Sequence, residues 1–212
     1  MLDLYCERTG PGLWAEPVNA LTNIGFVIAA WLSWRMAARE RAQDSGIAAI
    51  TMTIVGIGIG SFLFHTLPGA VTRWLDVVPV FVFQLLYLGF YSRRVSDLSM
   101  PVSATLLLAF LAAAVVASRF EGVLNGSLIY APALLVIFIL GAFHYHGQRT
   151  GRGLLLGAAG VFLVSILLRS IDLRICIHAG LGTHFLWHIL NAFVIYLAMR
   201  ALLVNLSLGS RR

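Results

Sequence analysis

The chain contains no lysine: all 15 of its basic residues are arginine, set against 9 acidic residues. That absence excludes one class at once, because a seven-helix retinal protein attaches its chromophore through a lysine Schiff base. Charge of either sign is scarce, at 11% of the residues, while 59% are hydrophobic. With a mean hydropathy of +0.88 the composition lies outside the range of a soluble domain. No internal repeat, low-complexity tract or charge run stands out. The first residues, Met1-Leu2-Asp3-Leu4-Tyr5-Cys6-Glu7, lack the basic-then-apolar pattern of a cleavable signal peptide. The first apolar span is therefore expected to direct insertion itself.

What is present is apolar sequence in lengths that cross a bilayer. A hydrocarbon core of about 30 Å asks for roughly 20 apolar residues per helix, and such stretches fall at about 17–38, 47–67, 74–92, 101–118, 127–146, 153–170 and 180–203. The expectation is an all-α, polytopic membrane protein, a bundle of seven transmembrane helices in one domain over residues 1–212. Positive loops stay cytoplasmic. Arg35, Arg39, Arg41, Arg93, Arg94, Arg149, Arg152, Arg200, Arg211 and Arg212 would share one side, and Arg8, Arg73, Arg119, Arg169 and Arg174 the other. This places the N-terminus outside and the C-terminus in the cytoplasm. The net charge of +6 then reads as topology signal and contact with anionic headgroups, with no nucleic-acid partner.

In that topology Cys6 and Cys176 both face outward, where a disulfide can form and would pin the N-terminal segment across the mouth of the bundle. Two unrelated thiols remain an alternative. The same topology collects polar residues at one depth. Ser61 and His65 close the second span, Asp76 opens the third, and His184 and His188 open the seventh. Side chains four apart share a helix face, so Ser61 stacks with His65 and His184 with His188. Singly, each has a modest reading: a helix-bridging histidine, a serine bonded to its own backbone, an aspartate capping a helix. Together they match a metal centre with three protein ligands and an open position. Histidine suits zinc, and hydrolysis needs no redox change.

The spacing His184-Phe185-Leu186-Trp187-His188 lacks the glutamate of an H-E-x-x-H peptidase. The general base must come from another helix, and Asp76 is the candidate, with the Ser61 hydroxyl helping to stabilise an oxyanion. Gly56, Gly58 and Gly60 read as close helix packing, not as a nucleotide loop. His144 and His146 read as interfacial, His178, Asp172 and Glu121 as loop residues, and Trp74 and Trp187 as an aromatic belt, with Trp187 also able to line a pocket.

The motifs Ser61-Phe62-Leu63-Phe64-His65, Asp76 and His184-Phe185-Leu186-Trp187-His188, with Tyr5-Cys6-Glu7 and Glu16-Pro17-Val18-Asn19, resemble those of the alkaline ceramidases. These belong to a wider group of seven-helix membrane hydrolases that includes the progestin and adiponectin receptors. The resemblance implies zinc on His65, His184 and His188, catalysis by Ser61 and Asp76, a Cys6–Cys176 disulfide, and hydrolysis of a ceramide amide to base and fatty acid. It also implies a calcium ion near the N-terminus, for which Asp3, Glu7, Glu16 and Asn19 are the available side chains, although Arg8 stands among them. Two alternatives stay open on the same scaffold: an ester hydrolase remodelling phospholipids, and a receptor or hemolysin-like protein with a structural zinc. The expected setting is a bacterial inner membrane, with the site in its outer half.

Overall fold

Hydrocarbon offers a backbone no water to bond with, so each apolar run closes its own hydrogen bonds as a helix. The computed structural model describes residues 5–120 and 122–209, and among them it contains helices and turns but no strand. Asp3, Leu4, Glu121, Arg211 and Arg212 lie outside the described residues. The helices are α1 (Pro17–Thr22), α2 (Ile24–Arg39), α3 (Ser45–Thr66), α4 (Ala70–Arg94), α5 (Met100–Ala117), α6 (Ala131–His146), α7 (Leu154–Ile175) and α8 (His184–Gly209). A 3-10 turn, Ser127–Tyr130, leads into α6.

Among the described residues six helices, α3 to α8, are long and apolar enough to cross a membrane. The chain is thus a multi-pass membrane protein. The expected first span differs: it is broken into α1 and α2 at Asn23. The Asn23 side-chain amide donates to the Asn19 carbonyl at 2.8 Å, taking the acceptor its own backbone would use in a regular helix. Its backbone N–H turns instead to Ala20 at 3.3 Å. The polar side chains Asn19, Thr22 and Asn23 cluster at this pinch, ahead of the longer apolar run of α2.

Helix α3 is the central rod, packed against both α2 and α4, while α8 is packed against α2 and α7. Ile47, Ile50, Ile54 and Ile57 of α3 meet Tyr91 of α4 and Met199, Leu202 and Leu203 of α8 in the core. Large apolar side chains such as Trp31, Met52, Val71, Leu108 and Phe138 point outward instead, as lipid-facing surfaces do.

The crossing of α3 and α4 seats the candidate carboxylate, Asp76. A side chain at Gly60 would meet the Leu75 carbonyl at 1.9 Å, so only glycine permits this approach. Pro79, inside α4, has no N–H for that same carbonyl four residues back. Gly56 is under no such demand, since a Cβ there would lie 3.6 Å from Pro79. The close crossing brings Asp76, next along from Leu75, against Ser61, next along from Gly60.

The N-terminal segment lies across the same end of the bundle. Cys6 is disulfide-bonded to Cys176, with their Cα atoms 5.4 Å apart. The Cys6 N–H donates to Asp172 at 2.9 Å, and the other oxygen of that carboxylate accepts from Thr183 and His184 at 2.6 and 2.8 Å. Asp172 is therefore no loop residue: it is buried in α7 and caps the start of α8. Gly182, at φ +66°, makes the turn between them, where a Cβ would strike both Asp172 and Cys6.

Candidate metal centre

Histidines arrive from two helices. His65 ends α3, while His184 and His188 occupy the first turns of α8, one above the other. All three are buried, and each offers a ring nitrogen within 4.8 Å of the others. Their rings pack at centroid distances of 5.3, 4.9 and 4.6 Å, a crowding of imidazoles that burial by itself does not reward.

For two of the rings the neighbours decide which nitrogen is left free. His65 donates from Nδ1 to Glu16 at 2.6 Å, which leaves Nε2 as a lone pair, buried and without a partner among the described residues. Thr22 has one hydroxyl proton, and the carbonyls of Val18 and Asn19 stand at 2.8 and 3.1 Å to take it. Thr22 therefore accepts from His188 Nδ1–H at 3.0 Å, and Nε2 of His188 is likewise the free nitrogen. Nδ1 of His184 is buried with no hydrogen bond, under a Tyr5 ring stacked on it at 3.6 Å. Buried nitrogens left unbonded are rare because they are costly. This donor set, with its outer partners orienting the rings, fits a zinc ion.

Around Glu16 the fit is to a different cation. Arg8 is buried and donates from Nε to Glu16, from Nη2 to the His65 carbonyl at 2.8 Å and from Nη1 to the Gly10 carbonyl at 3.3 Å. The second Glu16 oxygen accepts from Asn19 Nδ2 at 3.1 Å as well as from His65. Burial pushes the Glu16 carboxyl upward, but the bonds from His65, Asn19 and Arg8 outweigh it and hold the group below the usual carboxylate range. The Glu7 oxygens accept the backbone N–H groups of Val18 and Asn19 at 2.7 and 2.8 Å. These residues do not fit calcium, which wants six to eight free oxygens. The oxygens of Glu7 and Glu16 are already spent on arginine, histidine, asparagine and backbone, Asn19 keeps only its Oδ1 unpartnered, and Asp3 lies outside the described residues.

Asp76 and Ser61 line one cavity with His184 and His188. The Ser61 hydroxyl lies beside the Asp76 carboxylate, which also faces His65 and Arg169. From there the cavity descends between helices, past Phe26, Phe83, Phe162, Trp187 and Ile195. About 110 Å³ of it is open to the centre of a water molecule. Trp187 is pocket lining, buried against Phe162 and Tyr130, whereas Trp74 is exposed.

Two residues at this end escaped the sequence reading. Arg169, counted there as a topology charge, lies 6.0, 5.4 and 5.6 Å from the rings of Tyr5, Tyr130 and Trp187 and donates to Asn125 and Ser127, each at 2.9 Å. Thr22 is the other. The signal for Arg169 was present, since a charge inside an apolar run asks for partners. None existed for Thr22.

A family model, Ceramidase, matches residues 5–209, nearly the whole chain and all of the residues just described. The chain belongs to the ceramidase family. No curated protein matches it in sequence. Membership of the ceramidase family supports a hydrolase acting on amide bonds of a lipid, at a membrane, with a histidine cluster able to hold a metal.

Proposed function

We propose that the chain is a zinc-dependent intramembrane amidase, which cleaves ceramide or a related N-acyl lipid to a fatty acid and a free amine base. The observation that carries this reading is the trio of buried histidines whose ring nitrogens lie within 4.8 Å of one another: His184 and His188 line one cavity with Asp76, and the buried Nε2 of His65 has no protein partner. A zinc ion there would supply Lewis acidity, activating water and polarising a carbonyl.

The side chains supply the rest. Asp76 takes the proton of the attacking water and later delivers it to the leaving nitrogen. Ser61 holds the Asp76 carboxylate in place and can turn its hydroxyl to the developing oxyanion. The apolar walls below take the acyl chain and exclude bulk water. Asp76 is not a member of the histidine cluster, and among the described residues no fourth ligand completes it. An open position favours catalysis over a structural metal.

The arginines at the ends of α2 and α4 lie away from the histidines, which supports an outer N-terminus, a cytoplasmic C-terminus and a site in the outer half of a bacterial inner membrane. On this reading residues 1–212 form one domain whose partner is membrane lipid.

The test is hydrolysis of a fluorescent ceramide by purified protein, zinc-loaded and chelated, beside Asp76→Asn. Wild type should release fatty acid only with zinc. Asp76→Asn should keep its zinc and lose about 10²- to 10⁴-fold in rate. Full activity in that variant, or in chelated wild type, would overturn the mechanism.

A further inference from the structure

Residues 5–8 each grip a different element around the metal centre. The Tyr5 ring is stacked on His184 at 3.6 Å, the Cys6 N–H bonds the Asp172 carboxylate that caps α8, and the Glu7 carboxylate accepts from the first turn of α1. Arg8 reaches α3. Its side chain is 1% exposed, beside a Glu16 side chain at 2%, so neither charge is left to water. Charges buried to that degree are costly unless their partners are well placed.

The partners of Arg8 form a closed ring with His65. Nη2 of the guanidinium donates to the His65 carbonyl at 2.8 Å, and Nε donates to one Glu16 oxygen. The other Glu16 oxygen accepts from Nδ1 of the same histidine at 2.6 Å. One planar fork thus holds His65 twice, directly by its backbone and through Glu16 by its imidazole. The hold falls where a helix needs it. His65 is the last residue but one of α3, whose final carbonyls have no partner within the helix and whose end carries a partial negative charge. A ring at such a place moves with the fraying end unless something outside the helix anchors it.

An ion from solution would compete for the same seat. Arg8 takes three oxygens, from Gly10, Glu16 and His65, that a divalent cation would also seek. A guanidinium already tethered by the chain satisfies them without one. Lysine is a poorer substitute, because its ammonium is a point charge and lacks the rigid fork that meets a carboxylate and a carbonyl together.

We propose that Arg8 is a positioning residue of the metal centre, a built-in cation that fixes the His65 ring through Glu16 and makes a second metal ion at this place unnecessary. The inference rests on the zinc site of the proposed hydrolase, but not on the reaction run there.

Zinc affinity, read by competition with a chromophoric chelator well below the melting range, tests it apart from turnover. Arg8→Met should weaken zinc binding by about 10- to 100-fold, the usual scale for the outer partners of a metal ligand. Arg8→Lys should fall between that variant and wild type. Arg8→Met strands the Glu16 charge, so the double variant with Glu16→Gln, which buries no lone charge, keeps the test decisive if the single one does not fold. The double variant should bind zinc about as weakly as Glu16→Gln alone, since the arginine acts through that carboxylate. Millimolar calcium should change neither the zinc affinity nor the thermal midpoint of wild type. Wild-type zinc affinity in Arg8→Lys and in the double variant, with only a lower thermal midpoint, would overturn the proposal and assign Arg8 to folding alone. A gain in wild-type zinc affinity on adding calcium would overturn it too, because the seat would then be an ion's. Zinc-dependent cleavage with an affinity indifferent to Arg8 would leave the hydrolase standing and sink this inference. An affinity coupled to Arg8 without cleavage of any amide would do the reverse.

Discussion

His144 and His65 are equally buried, each with essentially no exposed surface, at opposite ends of the same bundle. At the His144 end both ring nitrogens are answered. Nε2–H donates to the Thr150 carbonyl at 3.0 Å, so Nδ1 accepts from the Tyr91 hydroxyl. Nearby, Asp44 accepts from Ile47 N–H at 2.8 Å and pairs with Arg94. At the other end His65, His184 and His188 crowd together with inward nitrogens left over. The difference separates two uses of one residue type. A satisfied histidine ties a loop to a helix, whereas an unsatisfied cluster is poised for something that is not protein. It also corrects the expectation that His144 is interfacial, because the 147–153 link folds back over it.

The strongest way to break that contrast is to remove one histidine from each end. His188→Ala should abolish stoichiometric zinc and lower hydrolysis by about 10³-fold or more, as several kcal/mol of charge stabilisation is lost. His144→Ala should keep its zinc and lose only stability, by about 1–3 kcal/mol for the stranded Tyr91 hydroxyl. Metal analysis and a thermal melt of the two proteins decide it. Zinc loss in His144→Ala would erase the distinction.

A smaller effect sharpens it. Thr22 touches no reacting atom in this account and acts only by fixing the His188 tautomer. Thr22→Val should weaken zinc binding by about 10- to 100-fold in a competition titration, with the helices intact by circular dichroism. Unchanged affinity would show that the ring needs no such guide.

The smallest effect belongs to the well-satisfied end. Burial raises the Asp44 carboxyl, but the Ile47 N–H and Arg94 hold it below its ordinary value. A carboxyl depressed on folding adds stability that is present above its unfolded pKa, about 3.9, and fades as pH falls through the folded value. The gap in melting temperature between wild type and Asp44→Asn should therefore be steady near neutrality and close only below about pH 4. A gap that closes at higher pH would mean that the cap and ion pair are not its source.

Much of the metal centre was readable because its chemistry is conspicuous in an apolar background. Histidine and aspartate inside runs of leucine and valine announce themselves by cost, and a spacing of four places two of them on one face. Arg8, Arg169 and Asp172 are charged too, yet they were read as topology signal or loop. Their meaning lies in partners about 60 to 170 residues away, which no local spacing encodes: Arg8 with His65, Asp172 with Cys6. The broken first span was missed because a run judged by its length does not show that Asn23 will bond the Asn19 carbonyl.

The sequence by itself determined that this chain lives in a membrane as helices, since hydrocarbon leaves a backbone little other choice, and it singled out the three clustered histidines by their type and period. Only the tertiary structure decided which nitrogens are free, that Arg8 bonds Glu16 and the His65 carbonyl, and that Asp76 lies against Ser61. Those outcomes depend on how closely two helices approach at Gly60 and on which acceptors the N-terminal segment reaches as it crosses the bundle. Such facts belong to distances between remote residues, and they exist only once the chain has folded.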